Sequence, residues 1–216
     1  MIAVIDYRMG NLLSVERGLR GVGADARITD DLAVIKSAEA IVLPGVGAFG
    51  DAAASMRQLG QMELVKERVR EGVPFLGICL GQHLLCQGGV EGAAPGGIIE
   101  GLGLLPGIVD KLPSCDAKGA FYKIPHVGWN SIESASGDAF DCPLLEGIQP
   151  GEYFYFTHSY YVPLMDSTVA QTRHSIAFSS AVQFGECAFG VQFHPEKSSD
   201  AGAEVLKNFA RLAGQI

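Results

Sequence analysis

The segment from residue 77 to residue 81, Gly-Ile-Cys-Leu-Gly, has residue types and a spacing that suggest covalent chemistry. It begins within the apolar run 73–78 and places a glycine two residues before and two residues after Cys79. A strained turn from strand to helix needs small residues there, because a Cβ atom would clash as the chain reverses. Such a turn exposes the thiol at a helix start, where the dipole favours the thiolate, and aims the N–H of Leu80 at an oxyanion. The pattern indicates a nucleophilic cysteine; the alternative is a small buried residue.

A second candidate group lies near the C-terminus, where His194-Pro195-Glu196 follows the alternating run 188–193. In an extended chain, residues two apart face the same way, and Pro195 fixes the φ angle between them. We therefore expect Glu196 to hydrogen-bond and orient His194, which is the base half of a nucleophile–base–orienter set. Alone, this segment could be a turn with a surface histidine. Combined with Cys79 at the carboxyl end of another strand, it predicts a catalytic triad.

A third part is the segment Pro44-Gly45-Val46-Gly47, which follows a predicted strand directly. Because its two glycines have no side chains, the backbone of this segment is exposed and adaptable. An N–H of Val46 or Gly47 could therefore complete an oxyanion hole beside Leu80. A simple connection between strand and helix is the alternative.

The first 90 residues alternate between short buried strands and helices, which predicts βαβ units on a parallel sheet. The predicted strands are 2–5, 40–43 and 73–78. We expect one helix capped by Asn11 through residue 20, one capped by Asp51 that runs to Gly72, and one from residue 80 to about Gly88.

The second half is typical of strands joined by turns, followed by one helix. The expected strands are 101–112, 121–132, 153–162, 180–184 and 188–193, and the expected helix is 201–212. We therefore predict one α/β domain over residues 1–216. Its doubly wound, mainly parallel central sheet is flanked by helices and carries antiparallel additions in the C-terminal half.

Composition narrows the class of protein. The 216 residues carry 16 basic and 24 acidic side chains, so the net charge of −8 argues against nucleic-acid and membrane partners. No secretion signal or membrane-length apolar run is seen, and the five cysteines form no CxxC pair, so we expect a cytoplasmic protein without a disulfide framework or zinc ribbon. The sequence offers no metal-ligand cluster, phosphate loop or nucleotide fingerprint, so no cofactor or metal is expected. Four cysteines are read as structural thiols: Cys86, Cys115, Cys142 and Cys187.

The segments GICLG, LPGVGAFG and VQFHPEKS together resemble the class I, triad-type glutamine amidotransferases. Six segments are similar to one branch of that family, the glutaminase subunits of the histidine pathway: DYRMGNLLSV, LPGVGAFGDA, GLGLLPG, KIPHVGWN, YFYFTHSYYV and FGVQFHPEKSSDAG. These segments spread from residue 6 to residue 202, so the resemblance covers nearly the whole chain. It implies a flavodoxin-like sheet and hydrolysis of L-glutamine to glutamate and ammonia.

By this resemblance Cys79 is the nucleophile, His194 the general base and acid, and Glu196 the orienting residue, with the amides of Leu80, Val46 and Gly47 at the oxyanion. The ammonia would pass to a separate (β/α)₈-barrel cyclase subunit in a heterodimer. That subunit would form imidazole glycerol phosphate and an aminoimidazole ribonucleotide.

The resemblance also implies contacts with substrate and partner. The family usually has glutamine four residues after the cysteine, whereas this chain has Gln82-His83, so either side chain is a candidate substrate contact. The other candidate substrate residues are Glu91, His158, Ser159 and Tyr160, and the candidate interface residues are Met9, Asn11, His126, Trp129, Asn130 and Tyr155.

Three other functions remain open from the sequence. The chain could be a free-standing γ-glutamyl hydrolase or a related cysteine peptidase, or a binding subunit that does not cleave. It could also be a paralogue that supplies ammonia to a related barrel in surface-sugar synthesis.

Overall fold

The computed structural model describes residues 1–137 and 139–216, and its largest element is an eight-stranded sheet. Five of its strands are parallel neighbours in the order β2-β1-β3-β4-β14, and β13, β12 and β9 continue the sheet with antiparallel pairing. The strands of this sheet are β1 (Ile2–Ile5), β2 (Ala26–Thr29), β3 (Ala40–Gly45), β4 (Phe75–Cys79), β9 (Glu133–Ser134), β12 (Thr168–Arg173), β13 (Ala177–Phe184) and β14 (Ala188–Val191).

Two smaller sheets accompany it. An antiparallel pair, here called the ribbon, consists of β8 (His126–Ser131) and β10 (Tyr153–His158). A four-stranded sheet has the order β11-β7-β5-β6, with β5 (Cys86–Gly89), β6 (Ile99–Glu100), β7 (Leu105–Lys111) and β11 (Tyr160–Tyr161). β8 lies within the segment that the sequence predicted as 121–132, and the single strand predicted as 153–162 is divided into β10 and β11.

Helices cover both faces of the central sheet because its parallel strands are apolar on both sides. Along β1, Ile2 and Val4 pack into one hydrophobic cluster with two helices, whereas Ala3 and Ile5 pack into a second cluster with the others. The first face carries α1 (Leu12–Gly21) and α6 (Ser199–Leu212), and the second carries α2 (Leu32–Ser37), α3 (Phe49–Gln58), α4 (Gln61–Arg70) and α5 (Leu80–Leu85). The predicted doubly wound, mainly parallel sheet with antiparallel additions is confirmed.

The structure corrects several predicted boundaries in the first half. The helix expected from Asp51 to Gly72 is two helices, because Gly60 adopts a φ of 69° and ends the first run. Asp51 does not cap it: α3 begins at Phe49, whose backbone N–H donates to Glu91 Oε2 at 2.8 Å. The strand at 40–43 does not stop before Pro44-Gly45 but runs through both residues.

Further corrections concern the segments after Cys79. The helix predicted to reach Gly88 ends at Leu85, and the next four residues form β5, which pairs with β6 and β7. The strands β2, β6, β9 and β12 and the helix α2 were not predicted. Among the described residues, no helix combines the length and the apolar character that a membrane span requires.

Candidate active site

Cys79 is the last residue of β4, and its backbone is in an unusual conformation. Its φ is 53° and its ψ is −103°, and α5 begins at the next residue. A residue with a Cβ atom adopts such a positive φ only when the surrounding structure enforces it, at a cost on the order of 1–3 kcal/mol. The side chain is 5% exposed and lies at a cavity. The sequence pattern therefore produces a strained bend with the thiol at its tip.

The two glycines of this bend are required by close backbone contacts. A Cβ atom on Gly77 would lie 2.5 Å from the backbone of Gly81, and one on Gly81 would lie 1.8 Å from the carbonyl oxygen of Leu43. Both distances are far below van der Waals contact. The expectation that small residues must flank Cys79 is therefore confirmed, and the second glycine also allows α5 to pack against β3.

His194 and Glu196 lie directly after β14, which is the parallel neighbour of β4. The Nδ1 atom of His194 donates to Glu196 Oε1 at 2.8 Å, and both side chains are almost completely buried. Because Nδ1 is occupied, the imidazole presents Nε2 to Cys79, with whose side chain it interacts. Nε2 has no well-aligned hydrogen bond among the described residues, as is common for catalytic contacts before substrate binds.

The charge state of His194 follows from these neighbours. Burial alone lowers its pKa, but the interaction of the ring with the Cys79 side chain, the hydrogen bond to Glu196 and the negative charges of both groups outweigh burial and raise the pKa to about 10. The imidazole therefore favours its protonated form when the cysteine is a thiolate. This arrangement can hold an imidazolium beside a sulfur anion, which is the resting form of many cysteine nucleophiles.

The segment at the end of β3 lies beside Cys79, since Gly45 is opposite Cys79 in the parallel pairing. A Cβ atom on Gly45 would lie 2.0 Å from the hydroxyl of Tyr7 and 2.9 Å from the Cβ atom of Leu80, so only glycine fits. Val46 is exposed, and both Val46 and Gly47 line the same cavity as Cys79 and Leu80. The structure thus brings the predicted oxyanion residues together around the sulfur.

The cavity above Cys79 has a volume of about 290 Å³. This is near the small end of ligand sites in proteins, which suits a substrate the size of an amino acid. Its lining includes five of the predicted substrate residues: His83, Glu91, His158, Ser159 and Tyr160. Pro125 and Thr157 also line the cavity, although the sequence did not indicate them. Thr157 also accepts a long contact of 4.0 Å from the Cys79 thiol at its carbonyl oxygen.

The Gln82-His83 pair is divided between the cavity and the core. His83 reaches the cavity, whereas Gln82 is fully buried and donates through Nε2 to the carbonyl oxygen of Ser179. Burial lowers the pKa of His83 to about 4, although its hydrogen bond to Gln192 opposes the shift. His83 is therefore neutral at pH 7, and of the two predicted alternatives it is the one that lines the cavity.

Gln192 is a further residue that the sequence did not indicate. Its Oε1 atom lies 2.8 Å from His83 Nε2, and its Nε2 atom donates to the Cys79 sulfur at 3.6 Å. Gln192 is completely buried and lies two residues before His194, directly after the end of β14. The period of two along an extended chain was the signal that could have found it.

The predicted interface residues fall into two groups. Trp129 is 51% exposed, Asn11 is exposed, and Met9 and Tyr155 are partly covered. By contrast, His126 is buried, and Asn130 donates inward to His126 Nε2 and to the carbonyl oxygen of Arg173. The structure therefore places these two side chains on the face of the ribbon opposite Trp129, where His126 is buried and Asn130 is partly covered.

The other cysteines differ from Cys79 in environment. All five cysteines are free thiols, and all five belong to the described residues. Burial raises the pKa of Cys86 to about 12, and burial also raises that of Cys142 to about 11. Neither forms a thiolate near neutral pH, in keeping with a structural role.

Comparison with known proteins agrees with this geometry. The sequence pattern of the family "Glutamine amidotransferase class-I" matches residues 3–213. A protein of Moorella thermoacetica described as imidazole glycerol phosphate synthase subunit HisH is 46% identical over 213 residues, which covers 98% of this chain and 94% of that protein. The equally described protein of Caldanaerobacter subterraneus subsp. tengcongensis is 47% identical over 98% of both chains.

Solved structures show the same fold. The crystal structure of a glutamine amidotransferase superposes with a TM-score of 0.71 and 20% identity and covers 99% of this chain and 100% of its own. The PurLQS structure from Thermotoga maritima gives a TM-score of 0.66 at 19% identity, with coverage of 98% and 96%. The family match and the relatives at 46% and 47% identity agree with the geometry of Cys79, His194 and Glu196. This chain is an enzyme that belongs to the class I glutamine amidotransferases.

Proposed function

We propose that this chain is the glutaminase subunit of imidazole glycerol phosphate synthase and works with a (β/α)₈-barrel cyclase in histidine biosynthesis. Relatives of that description at 46% and 47% identity support the assignment. The observation that carries the chemistry is that Cys79, with its positive φ, lines the cavity beside a buried His194, whose Nδ1 atom lies 2.8 Å from Glu196. The Cys79 thiol alone would not favour hydrolysis of an amide. The neighbouring His194–Glu196 pair does, because it can donate and accept the protons that the reaction requires.

The reaction begins when the Cys79 sulfur attacks the side-chain carboxamide carbon of L-glutamine. The C=O electron pair moves to oxygen, and backbone N–H groups of Leu80 and of Val46 or Gly47 stabilise the resulting oxyanion. As the tetrahedral intermediate collapses, the C–N bond breaks and His194 gives its proton to the departing ammonia. The product at this stage is a glutamyl thioester on Cys79.

Hydrolysis of the thioester completes the cycle. The now neutral His194 removes a proton from water, the hydroxide adds to the thioester carbon, and the C–S bond breaks to give glutamate and the thiolate. Glu196 stabilises the imidazolium in both steps and fixes the ring orientation. Glu91 and the segment of His158, Ser159 and Tyr160 line the cavity where the α-amino and α-carboxyl groups of glutamine would bind.

The outer face of the ribbon is our candidate docking surface for the cyclase. It presents Val127, Trp129, Tyr153 and Tyr155, of which the first three are at least half exposed. Trp129 and Tyr155 are opposite each other and pack edge to face with ring centroids 6.3 Å apart. Aromatic groups of this kind are enriched in the central contacts of protein interfaces.

The test is glutamate release from L-glutamine by the purified chain, alone and mixed with the cyclase subunit, with and without a ligand of the cyclase. We expect little turnover alone, a rise on mixing, and loss of the glutamine-dependent reaction in Cys79→Ala. The Cys79→Ala complex should still form product when ammonium salt replaces glutamine. Cys115→Ala, which changes an exposed cysteine, is the matched control and should remain active.

Three results would contradict this function. Strong hydrolysis of γ-glutamyl peptides without a partner would indicate a free-standing hydrolase. Product formation from glutamine by the Cys79→Ala complex would indicate a binding subunit that does not cleave. Activation only by a barrel of surface-sugar synthesis would indicate the paralogous pathway.

A further inference from the structure

Two buried histidines that the proposed chemistry does not use face each other inside the ribbon. His126 and His158 are directly opposite in the β8–β10 pairing and are 5% and 6% exposed. The Nδ1 atom of His126 lies 2.9 Å from Nε2 of His158. A contact between two imidazoles at this distance requires one ring to donate and the other to accept.

The surrounding hydrogen bonds determine which ring donates. The Nδ1 atom of His158 lies 2.7 Å from the carbonyl oxygen of Tyr160, which can only accept, so Nδ1 carries the proton. In a neutral ring Nε2 of His158 is then an acceptor, and His126 must donate to it from Nδ1. The Nε2 atom of His126 is the remaining acceptor, and the Asn130 amide nitrogen, 3.2 Å away, donates to it.

The chain of bonds thus runs in one direction from Asn130 through His126 and His158 to the carbonyl of Tyr160. It is complete only while both rings are neutral, because an additional proton would place two donors against each other. Burial lowers the pKa of His126 to about 4, and burial likewise lowers the pKa of His158 well below its usual value. The other titratable groups near the pair are His174, which stacks on His126 at 4.3 Å between centroids, and His83.

The last bond of this chain lies in the wall of the cavity. It connects the end of β10 to β11 and closes the turn that contains Ser159, whose carbonyl accepts from the backbone N–H of Leu112 at 2.9 Å. His158, Ser159 and Tyr160 all line the cavity above Cys79. The histidine side chain therefore fixes the shape of the segment that faces the substrate.

The first bonds of the chain lie beneath the outer face of the ribbon. Side chains alternate along β8, so His126 and Asn130 point inward while Val127 and Trp129 are exposed. Asn130 is also the immediate neighbour of Trp129. The same two strands thus carry the apolar outer face and, on the other side, the hydrogen-bonded chain that ends in the cavity wall.

We propose that His126 and His158 are positioning residues that hold the segment 158–160 in the shape that binds glutamine. This inference rests on the proposed glutaminase function and adds to it a determinant of substrate affinity. Neither imidazole is a proton-transfer group in this scheme. Their loss should raise KM for glutamine more than it lowers kcat, because Cys79, His194 and Glu196 keep their own contacts.

Paired substitutions separate the two ring nitrogens. An asparagine reaches the position of Nδ1 and a glutamine that of Nε2, so His158→Asn keeps the donor to Tyr160 and His158→Gln loses it. Likewise His126→Asn keeps a donor for His158, whereas His126→Phe removes it. His174→Phe, which keeps a ring stacked on His126 but lies outside the hydrogen-bonded chain, is the control.

The experiment measures kcat and KM for glutamine in the complex with the cyclase, together with thermal unfolding of each variant. We expect His158→Gln and His126→Phe to raise KM about five- to tenfold, which corresponds to one lost hydrogen bond. His126→Asn should keep KM near that of the parent, His158→Asn should raise KM less than His158→Gln because it keeps the bond to Tyr160, and His174→Phe should leave KM unchanged.

The proposal is overturned if His158→Asn and His158→Gln raise KM equally, if neither changes KM, or if kcat alone falls. If His126→Phe fails to fold, the two His158 variants decide the question. A parent complex that releases no glutamate contradicts the proposed function itself, whereas an active parent with indistinguishable variants contradicts only the positioning role.

Discussion

At the scale of single residues, the site concentrates unfavourable features that the rest of the chain must offset. Cys79 has a positive φ, and His194 and Glu196 bring opposite charges into the interior. Tyr7 is fully buried beside Gly45, and its hydroxyl has no hydrogen-bond partner among the described residues. Strain and buried polar groups of this kind are typical of functional sites. The charged pair is the feature whose energetics can be measured directly.

The raised pKa of His194 predicts a dependence of stability on pH. Its usual value is 6.5 and its value in the folded chain is about 10, so protonation favours folding. This stabilisation is fully present below pH 6.5 and is lost as the pH rises through about 10. In Glu196→Gln the carboxylate charge is absent, the pKa of His194 falls, and much of this contribution disappears.

The measurement is the free energy of unfolding in urea for parent and Glu196→Gln between pH 6 and pH 10. The difference between them should be largest at the acidic end and shrink as the pH rises. Glu204→Gln is the control, because the salt bridges of Glu204 with Lys207 and Arg211 lie at the exposed surface. A difference for Glu196→Gln that is constant or grows with pH contradicts the assigned pKa.

At the scale of elements, the bend between β4 and α5 depends on how closely three backbones approach. β4 pairs with β3 on one side and with β14 on the other, and α5 packs back onto β3 through Gly81. This packing holds Cys79 in its strained conformation because α5 cannot withdraw without losing contacts with the sheet. The position of the thiol is therefore a property of the whole strand–helix unit.

Gly81→Ala should break this unit. The added methyl group would lie 1.8 Å from the Leu43 carbonyl oxygen, so α5 must move away from β3, at a cost of about 3 kcal/mol or more. The control is Gly21→Ala, also at a helical position, where nothing lies within 4 Å of the new Cβ atom. It should be neutral or more stable by up to about 1 kcal/mol.

Both variants are to be compared by urea unfolding and by glutamate release in the cyclase complex. We expect Gly81→Ala to lose activity together with stability, while Gly21→Ala keeps both. Equal behaviour of the two alanine variants would show that the close approach at Gly81 is unimportant.

The parts of the fold that the sequence predicted are those that depend on local patterns. The parallel strands, the bend at Cys79 and the His194–Glu196 pair follow from apolar runs, glycine spacing and the period of two. The separation of α3 from α4 was missed because Met56 and Met62 both pack into the same cluster, so the apolar pattern continues across Gly60. The strand at Cys86–Gly89 was missed because its partners lie elsewhere in the chain.

The same limit applied to the site. That His83 rather than Gln82 faces the cavity depends on the direction in which α5 leaves the bend, which residue spacing alone does not define. The contacts of Gln192 with Cys79 and His83 join positions more than 100 residues apart in sequence. Only the packed sheet brings these groups together.

At the scale of the whole molecule, the carboxyl and amino ends of the parallel strands have different roles. The carboxyl ends of β3, β4 and β14 carry the cavity and the triad, and the ribbon lies beside them through the hydrogen bond from the His194 N–H to the Tyr155 carbonyl at 2.9 Å. The C-terminal residues lie at the amino ends of the strands. There Gln215 donates a hydrogen bond at 2.8 Å to Glu39, the residue before β3. A partner that receives ammonia should therefore bind on the ribbon side.

Trp129→Ala should weaken binding to the cyclase without unfolding the chain. Truncating a central aromatic contact costs about 2 kcal/mol or more in binding, or roughly 30-fold in Kd. Ile216→Ala is the matched control, because Ile216 is 50% exposed against 51% for Trp129 but lies at the amino ends of the strands. Calorimetric titration with the cyclase measures both, and equal affinities for the two variants would exclude Trp129 from the interface.

The position of β14 between β4 and β13 also has a consequence for biosynthesis of the chain. The ribosome makes β4 and its nucleophile more than 100 residues before the strand that completes the sheet and brings the base. Until β14 is inserted, the nascent polypeptide has an apolar strand with one unpaired edge in the middle of its future core, which invites association with other chains. Synthesis order therefore keeps the thiol without its catalytic base until the domain is almost fully translated.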